Sequence, residues 1–222
     1  MKQIRVIITG ATGMVGEGVL LECLNDPRVS AVLSVSRKPG GKSHPKLKEY
    51  IVPDFLALKE DDENLAGYDA CFFCAGVSSI GMDEDKYTRL TYDTTIHFAQ
   101  VVAAQNRAMV FTYVSGAGTD STEKGRSMWA RVKGRTENKL TTLPFKKAYN
   151  FRPAMIKPMQ QQQYVLKAYK YFGWMYPIMH TLFPNTASTV TEIARAMIYC
   201  ATTSTQKQII EVSDIHRLAA KS

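Results

Sequence analysis

The sequence predicts a doubly wound α/β sheet, and three observations carry that prediction. Seven short apolar runs alternate with helix-length amphipathic segments along the chain. The runs are continuously apolar, as strands buried on both faces are. The first run passes through a glycine-rich turn, Thr9-Gly10-Ala11-Thr12-Gly13-Met14-Val15-Gly16, directly into the first helical segment. Such alternation implies parallel strands with helices on both faces, wound by right-handed crossovers. A ligand crevice is then expected outside the carboxyl ends of the strands.

The elements follow in order. Strands are predicted at 5–9, 31–35, 49–52, 70–74, 109–114, 148–151 and 208–212. Helices are predicted at 16–25, 57–65, 86–106, 128–140, 161–172 and 190–201. No internal repeat divides the chain. The 222 residues read as one domain, with 156–205 forming a small C-terminal helical portion that covers the substrate side. The apolar run 171–183 contains Pro177 and His180 and reads as short helices, not as a membrane span. No secretory leader is recognised at the start, and a cytoplasmic protein is expected.

Composition is that of a globular protein, 45% hydrophobic and 22% charged. The net charge of +8 is scattered, and its densest cluster, 38–48, is a loop containing Gly, Pro and Ser. That distribution describes a solvated surface more than a nucleic-acid face, so no nucleic-acid partner is expected. Cys71 and Cys74 form a C-x-x-C inside the apolar run Ala70-Cys71-Phe72-Phe73-Cys74-Ala75. Residues three apart on a strand point to opposite faces, so neither a redox pair nor a metal site is expected. With Cys23 and Cys200 they read as small buried hydrophobes in a reducing compartment.

The glycine turn carries the functional argument. Gly10 permits the tight turn, Gly13 lets backbone approach a pyrophosphate, and Gly16 lets the helix pack on the strand. The amides of Thr12, Met14 and Val15 complete a helix start suited to a phosphate anion. This is the arrangement of a Rossmann dinucleotide site. About 20 residues on, NAD-specific sites place an acid on the ribose 2′-hydroxyl. Here Ser36 is followed by Arg37 and Lys38. Arg37 can pair a 2′-phosphate through two hydrogen bonds, so NADP is favoured, with NAD as the alternative.

The strand ends add a resemblance. With the glycine turn, Asp54-Phe55, Cys74-Ala75-Gly76, Tyr113-Val114-Ser115-Gly116-Ala117-Gly118 and Phe151-Arg152-Pro153 resemble the atypical and extended short-chain dehydrogenase/reductases. The resemblance spans nearly the whole chain. It is nearest to the NAD-dependent epimerase/dehydratase-like group and its small Tat-interacting oxidoreductase-like members. It implies that Asp54 and Phe55 lie by the adenine, Ala75 and Gly76 by the adenosine ribose, and Pro153 toward the nicotinamide.

The family's catalytic group is a serine followed by Tyr-x-x-x-Lys. By this resemblance Ser115 takes the serine position and Lys133 the lysine position, where it also holds the ribose. The tyrosine position is Trp129, and no lysine in the chain has tyrosine four residues before it. An indole N–H donates but does not titrate usefully. Loss of a positioned general acid costs about 10²–10⁴ in rate. Trp129 therefore reads either as a packing residue or as a wall beside the nicotinamide. Asp120, Glu123, Lys124 and His180 are weighed as other proton carriers and read instead as loop charges and a helix histidine. Arg126 and Arg131 face either an acidic substrate or solvent.

Two functions follow. One is an NADP-binding oxidoreductase or epimerase/dehydratase-like enzyme with a non-standard site. The other is a weak or inactive sensor of dinucleotide state. The aromatic and Met-rich segment 156–186, with Trp174, fits a largely apolar small-molecule substrate. The sequence leaves oligomerisation open.

Overall fold

A computed structural model describes residues 3–165 and 184–222. His180 and Trp174 fall outside these residues, as do most of the expected helix 161–172 and the middle, 166–183, of the expected cover.

The chain begins with β1 (Ile4–Thr9), α1 (Met14–Asn25), β2 (Val29–Ser36) and β3 (Leu47–Ile51). Then come β4 (Ala70–Phe73), α2 (Glu84–Thr88), α3 (Thr94–Gln105) and β5 (Val110–Val114). The second half holds α4 (Met128–Thr141), β6 (Lys147–Arg152), β7 (Met155–Lys157), β8 (Ala187–Thr189), α5 (Val190–Thr202), β9 (Ile209–Glu211) and α6 (Val212–Ala219). Seven strands form one sheet in the order β3-β2-β1-β4-β5-β6-β9, and every pairing is parallel. The order reverses between β1 and β4, which opens the crevice at their carboxyl ends. β7 and β8 pair separately.

Successive side chains of β1 feed two cores, as strand alternation requires. Val6 and Ile8 pack with Val19, Leu20 and Cys23 of α1 and with Ile193, Met197 and Ile215 of α5 and α6. Ile7 packs on the other face with Cys71, Phe73 and Phe111 and with Phe98 and Val102 of α3. Gly18 lets α1 meet α5 closely on the first face: a Cβ there would stand 2.0 Å from Cγ1 of Val190.

Three expectations are corrected. Residues 57–65 are no α-helix; two 3₁₀ turns, Phe55–Ala57 and Glu63–Leu65, flank an irregular stretch. The side chains of Asp54 and Asp62 accept from the backbone N–H groups of Leu56 and Asn64. Such local bonds compete with a helix and stop it after one turn. The expected helix 86–106 starts at Glu84, and a π-helical turn at Arg89–Asp93 joins α2 to α3. The last strand ends at Glu211 because Glu211 and Asp214 form a capping box that starts α6.

Candidate functional site

The glycine turn is held by contacts that exclude side chains. Gly10 has φ +72°, and a Cβ there would lie 2.6 Å from the Ala75 nitrogen. The turn is thus packed against the end of β4, where Thr9 Oγ1 also accepts from the Ala75 N–H at 3.2 Å. A Cβ at Gly16 would stand 2.1 Å from the Gly10 carbonyl oxygen. Gly13, exposed, is the N-cap of α1 and offers no side-chain cap. The first-turn N–H groups of a helix have no partner within it. Those of Met14, Val15 and Gly16 therefore face the turn with the helix dipole behind them.

A crevice of about 290 Å³ opens beside this turn. Gly10, Thr12, Gly13, Arg37, Asp54, Phe55, Ala75 and Gly76 all line it, which brings together eight of the residues expected at the cofactor. Arg37 is exposed at the end of β2. Ser36 beside it is buried and donates to the Lys38 carbonyl at 2.7 Å. Lys38 is exposed and does not line the crevice. Asp54 caps its own turn, and Phe55 is buried against Phe98 with ring centroids 5.2 Å apart. Leu90 and Thr94 also line the crevice. Sequence reasoning missed both, because a helix face toward a ligand looks like any other half-buried helix face. Cys74 lines it too, but burial pushes its thiol up to about 12, so it is inert at neutral pH. All four cysteines are free thiols.

Ser115, Trp129, Lys133 and Pro153 gather at the carboxyl ends of β5 and β6. Ser115 is buried, and its hydroxyl lies 2.5 Å from Oε1 of Glu137 and 3.1 Å from the Phe151 carbonyl. Its one proton goes to the carboxylate, the nearer and charged acceptor. The Lys133 ammonium donates to the Ser115 carbonyl. Burial lowers its pKa to about 8, with the nearby Glu137 charge opposing that fall. Pro153 is buried, and its carbonyl accepts from Ala117 N–H at 2.8 Å. The Trp129 indole overlies Gly118; its Cη2 would lie 3.5 Å from a Cβ there.

Three other candidates, Asp120, Glu123 and Arg131, are engaged elsewhere. Asp120 accepts from Gly125 N–H, Thr122 N–H and the Thr122 hydroxyl. Glu123 accepts from Asn138. Arg131 bonds the Gly125 and Arg126 carbonyls and Glu84. Two buried carboxylates were not legible as site residues. Glu137 is 1% exposed and accepts from Nε of Arg152 at 3.0 Å. Glu17, fully buried on α1, accepts from Gln163 N–H at 2.9 Å and Tyr164 N–H at 2.7 Å, and pairs with Lys42 at 2.8 Å. Gln162 also donates to the Met14 carbonyl, so the segment entering the cover is docked on the first turn of α1. Among the described residues no His, Cys, Asp and Glu side chains cluster as a metal site. No helix among them is long and apolar enough to cross a membrane.

No protein-family model matches the chain. Protein HTATIP2 of Rattus norvegicus is 26% identical over 159 residues, 70% of this chain and 64% of that protein. Leucinostatins biosynthesis cluster protein T of Purpureocillium lilacinum is 30% identical over 142 residues, 62% of this chain and 51% of that protein. The matches thus span about half to two thirds of these two relatives. Protein fmp52, mitochondrial, of Aspergillus clavatus is 26% identical over 202 residues, 87% of this chain and 85% of that protein. Among solved structures, the UDP-N-acetylglucosamine 4-epimerase of Methanobrevibacter ruminantium superposes with TM-score 0.69 at 16% identity, covering 95% of this chain and 76% of that one. The Bordetella bronchiseptica enzyme WbmF, solved with NAD+, superposes with TM-score 0.66 at 15% identity, covering 99% and 77%. The fold is therefore the one these two solved structures share.

Proposed function

We infer that this chain, similar in sequence and fold to the short-chain dehydrogenase/reductases of the epimerase/dehydratase type, binds a nicotinamide dinucleotide and is an oxidoreductase-like protein. One observation carries the reading. At Gly10 and Gly16 the turn leaves no room for side chains, and with Gly13 as N-cap it starts α1 on uncapped amides beside a crevice lined by Arg37. A dinucleotide fits that donor set. Backbone amides of the turn would hold its pyrophosphate, Phe55 and Ala75 its adenosine half, and Lys133 its nicotinamide ribose. When bound, it would supply or accept a hydride. Arg37 and the lack of an acid at Ser36 support NADP over NAD.

Titration calorimetry with NADP, NADPH, NAD and NADH tests this. Binding of the phosphorylated forms at least tenfold tighter is expected, and heat from none of the four would overturn the reading.

Two observations favour the sensing alternative over rapid turnover. Trp129 brings no titratable proton, and Ser115 gives its own proton to Glu137. In this reading Trp129 stands where relatives carry the catalytic tyrosine, and cofactor binding persists with slow chemistry or none. The aromatic and Met-rich composition of 156–186 favours a largely apolar small molecule as any substrate. The four free thiols support a reducing compartment, here the cytoplasm.

A further inference from the structure

Beside Lys133, at the carboxyl ends of β5 and β6, lies a buried charge cluster that the dinucleotide reading does not use. Its centre is Glu137, one helical turn beyond Lys133 on α4 and therefore on the same face. Oε1 takes the Ser115 hydroxyl from the end of β5. The same carboxylate takes Nε and Nη2 of Arg152 from the end of β6. Arg152 also donates to Ser121 at 2.6 Å and reaches Glu211 of β9 at 3.4 Å. The Tyr113 phenol of β5 is buried near Glu137 and Tyr87, the latter from α2. Glu137 thus links the three elements that bear Ser115, Lys133 and Pro153.

A buried carboxylate is costly unless every lone pair is engaged. The hydroxyl and the guanidinium engage this one, and leave Lys133 beside a fixed negative charge. Lys133 is itself removed from water and would shed its proton more readily without that charge.

We propose that Glu137 is the positioning residue of the Ser115–Lys133 group: it ties Ser115 into the scaffold and keeps Lys133 charged toward the ribose of a bound dinucleotide. The second half of this assignment rests on the dinucleotide reading above; the first does not.

Two readouts on the full chain test it. Isotope-labelled methyl tags on the lysines, assigned with Lys133→Arg, follow the Lys133 titration by NMR. The native midpoint is expected near 8. In Glu137→Gln it should fall by about one pH unit, because a neighbouring opposite charge has been removed. NADPH affinity is the second readout. Native and Glu137→Gln should bind alike near pH 6, where both lysines are charged. By about pH 8 the variant should bind roughly fivefold more weakly, the ratio of charged fractions for midpoints one unit apart. A purely architectural role would weaken binding equally at every pH. An unchanged midpoint, or a loss of affinity that does not vary with pH, overturns the proposal. Should Glu137→Gln not fold, Glu137→Asp keeps the Arg152 pair and withdraws the charge by one methylene. Its midpoint should fall by a smaller step, and no fall overturns the proposal. If the native chain binds no NADPH, the dinucleotide reading fails, while the titration still decides whether Glu137 governs Lys133.

Discussion

Gly16 and Gly10 sit so close that a Cβ on Gly16 would lie 2.1 Å from the Gly10 carbonyl oxygen. The obstacle is backbone, which cannot swing aside as a side chain can. Gly16→Ala must therefore push α1 away from the turn. The overpacking should cost about 1–3 kcal/mol, and the displaced amides should no longer meet a pyrophosphate. Calorimetry is expected to show dinucleotide affinity falling at least tenfold while the circular dichroism stays that of an α/β fold. Native affinity in Gly16→Ala would mean that the turn is not the phosphate site.

Arg37 is exposed and lines the crevice, and the NADP reading assigns it to the 2′-phosphate. Hydrogen bonds to charged groups contribute about 1.5–3 kcal/mol. Arg37→Ala should then weaken NADPH binding by roughly tenfold to a hundredfold and leave NADH nearly unchanged. A stronger contrast is expected from Arg37→Glu, which repels the phosphate. Equal losses for both cofactors would remove the argument for NADP.

The sequence displayed what depends on one strand or one turn. Continuous apolar runs marked inner strands such as β4 and β5 because they are buried on both faces, whereas the edge strands β3 and β9 are only partly buried. The glycine spacing marked the crevice because it is a local backbone requirement. Residues 57–65 misled because their apolar spacing resembles a helix, while Asp54 and Asp62 turn the chain by bonding Leu56 and Asn64. β7 and β8 went unseen at three residues each, too short for a periodic signal. Glu137 and Glu17 were invisible for another reason. A carboxylate on a helix reads as solvated until the fold brings Arg152 or Lys42 to it from distant sequence.

Glu17 gives a prediction about stability and pH. Burial alone would raise its pKa, but the N–H groups of Gln163 and Tyr164 and the Lys42 ammonium outweigh it and hold the carboxyl below its ordinary value. A carboxyl depressed in the folded state stabilises that state above the unfolded pKa and loses the effect as pH falls through the folded value. Glu17→Ala removes one partner of a buried pair and should cost about 3 kcal/mol at neutral pH. The gap between native and variant urea midpoints should close as pH drops below about 5. A gap that persists at acid pH would show that Glu17 acts by packing and not by charge.

Trp129 yields the sharpest test of chemistry. It precedes Lys133 by one turn of α4 and rests on Gly118 at the mouth of the β5 loop. A tyrosine is smaller than the indole, so Trp129→Tyr should fold without strain. It would set a titratable hydroxyl one turn from an ammonium that loses its proton near pH 8, and a cation at that distance favours the phenolate. With NADPH and a panel of apolar aldehydes and ketones, nicotinamide absorbance should fall at least a hundredfold faster than in the native chain, within the range a positioned acid supplies. The rise should follow pH, since a phenol and not water carries the proton. Binding of NADPH should stay within about twofold of native, because the indole touches the β5 loop and not the glycine turn. If Trp129→Tyr binds NADPH as expected yet reduces none of these carbonyls, the crevice is built to register the cofactor, and the enzyme reading gives way to the sensor.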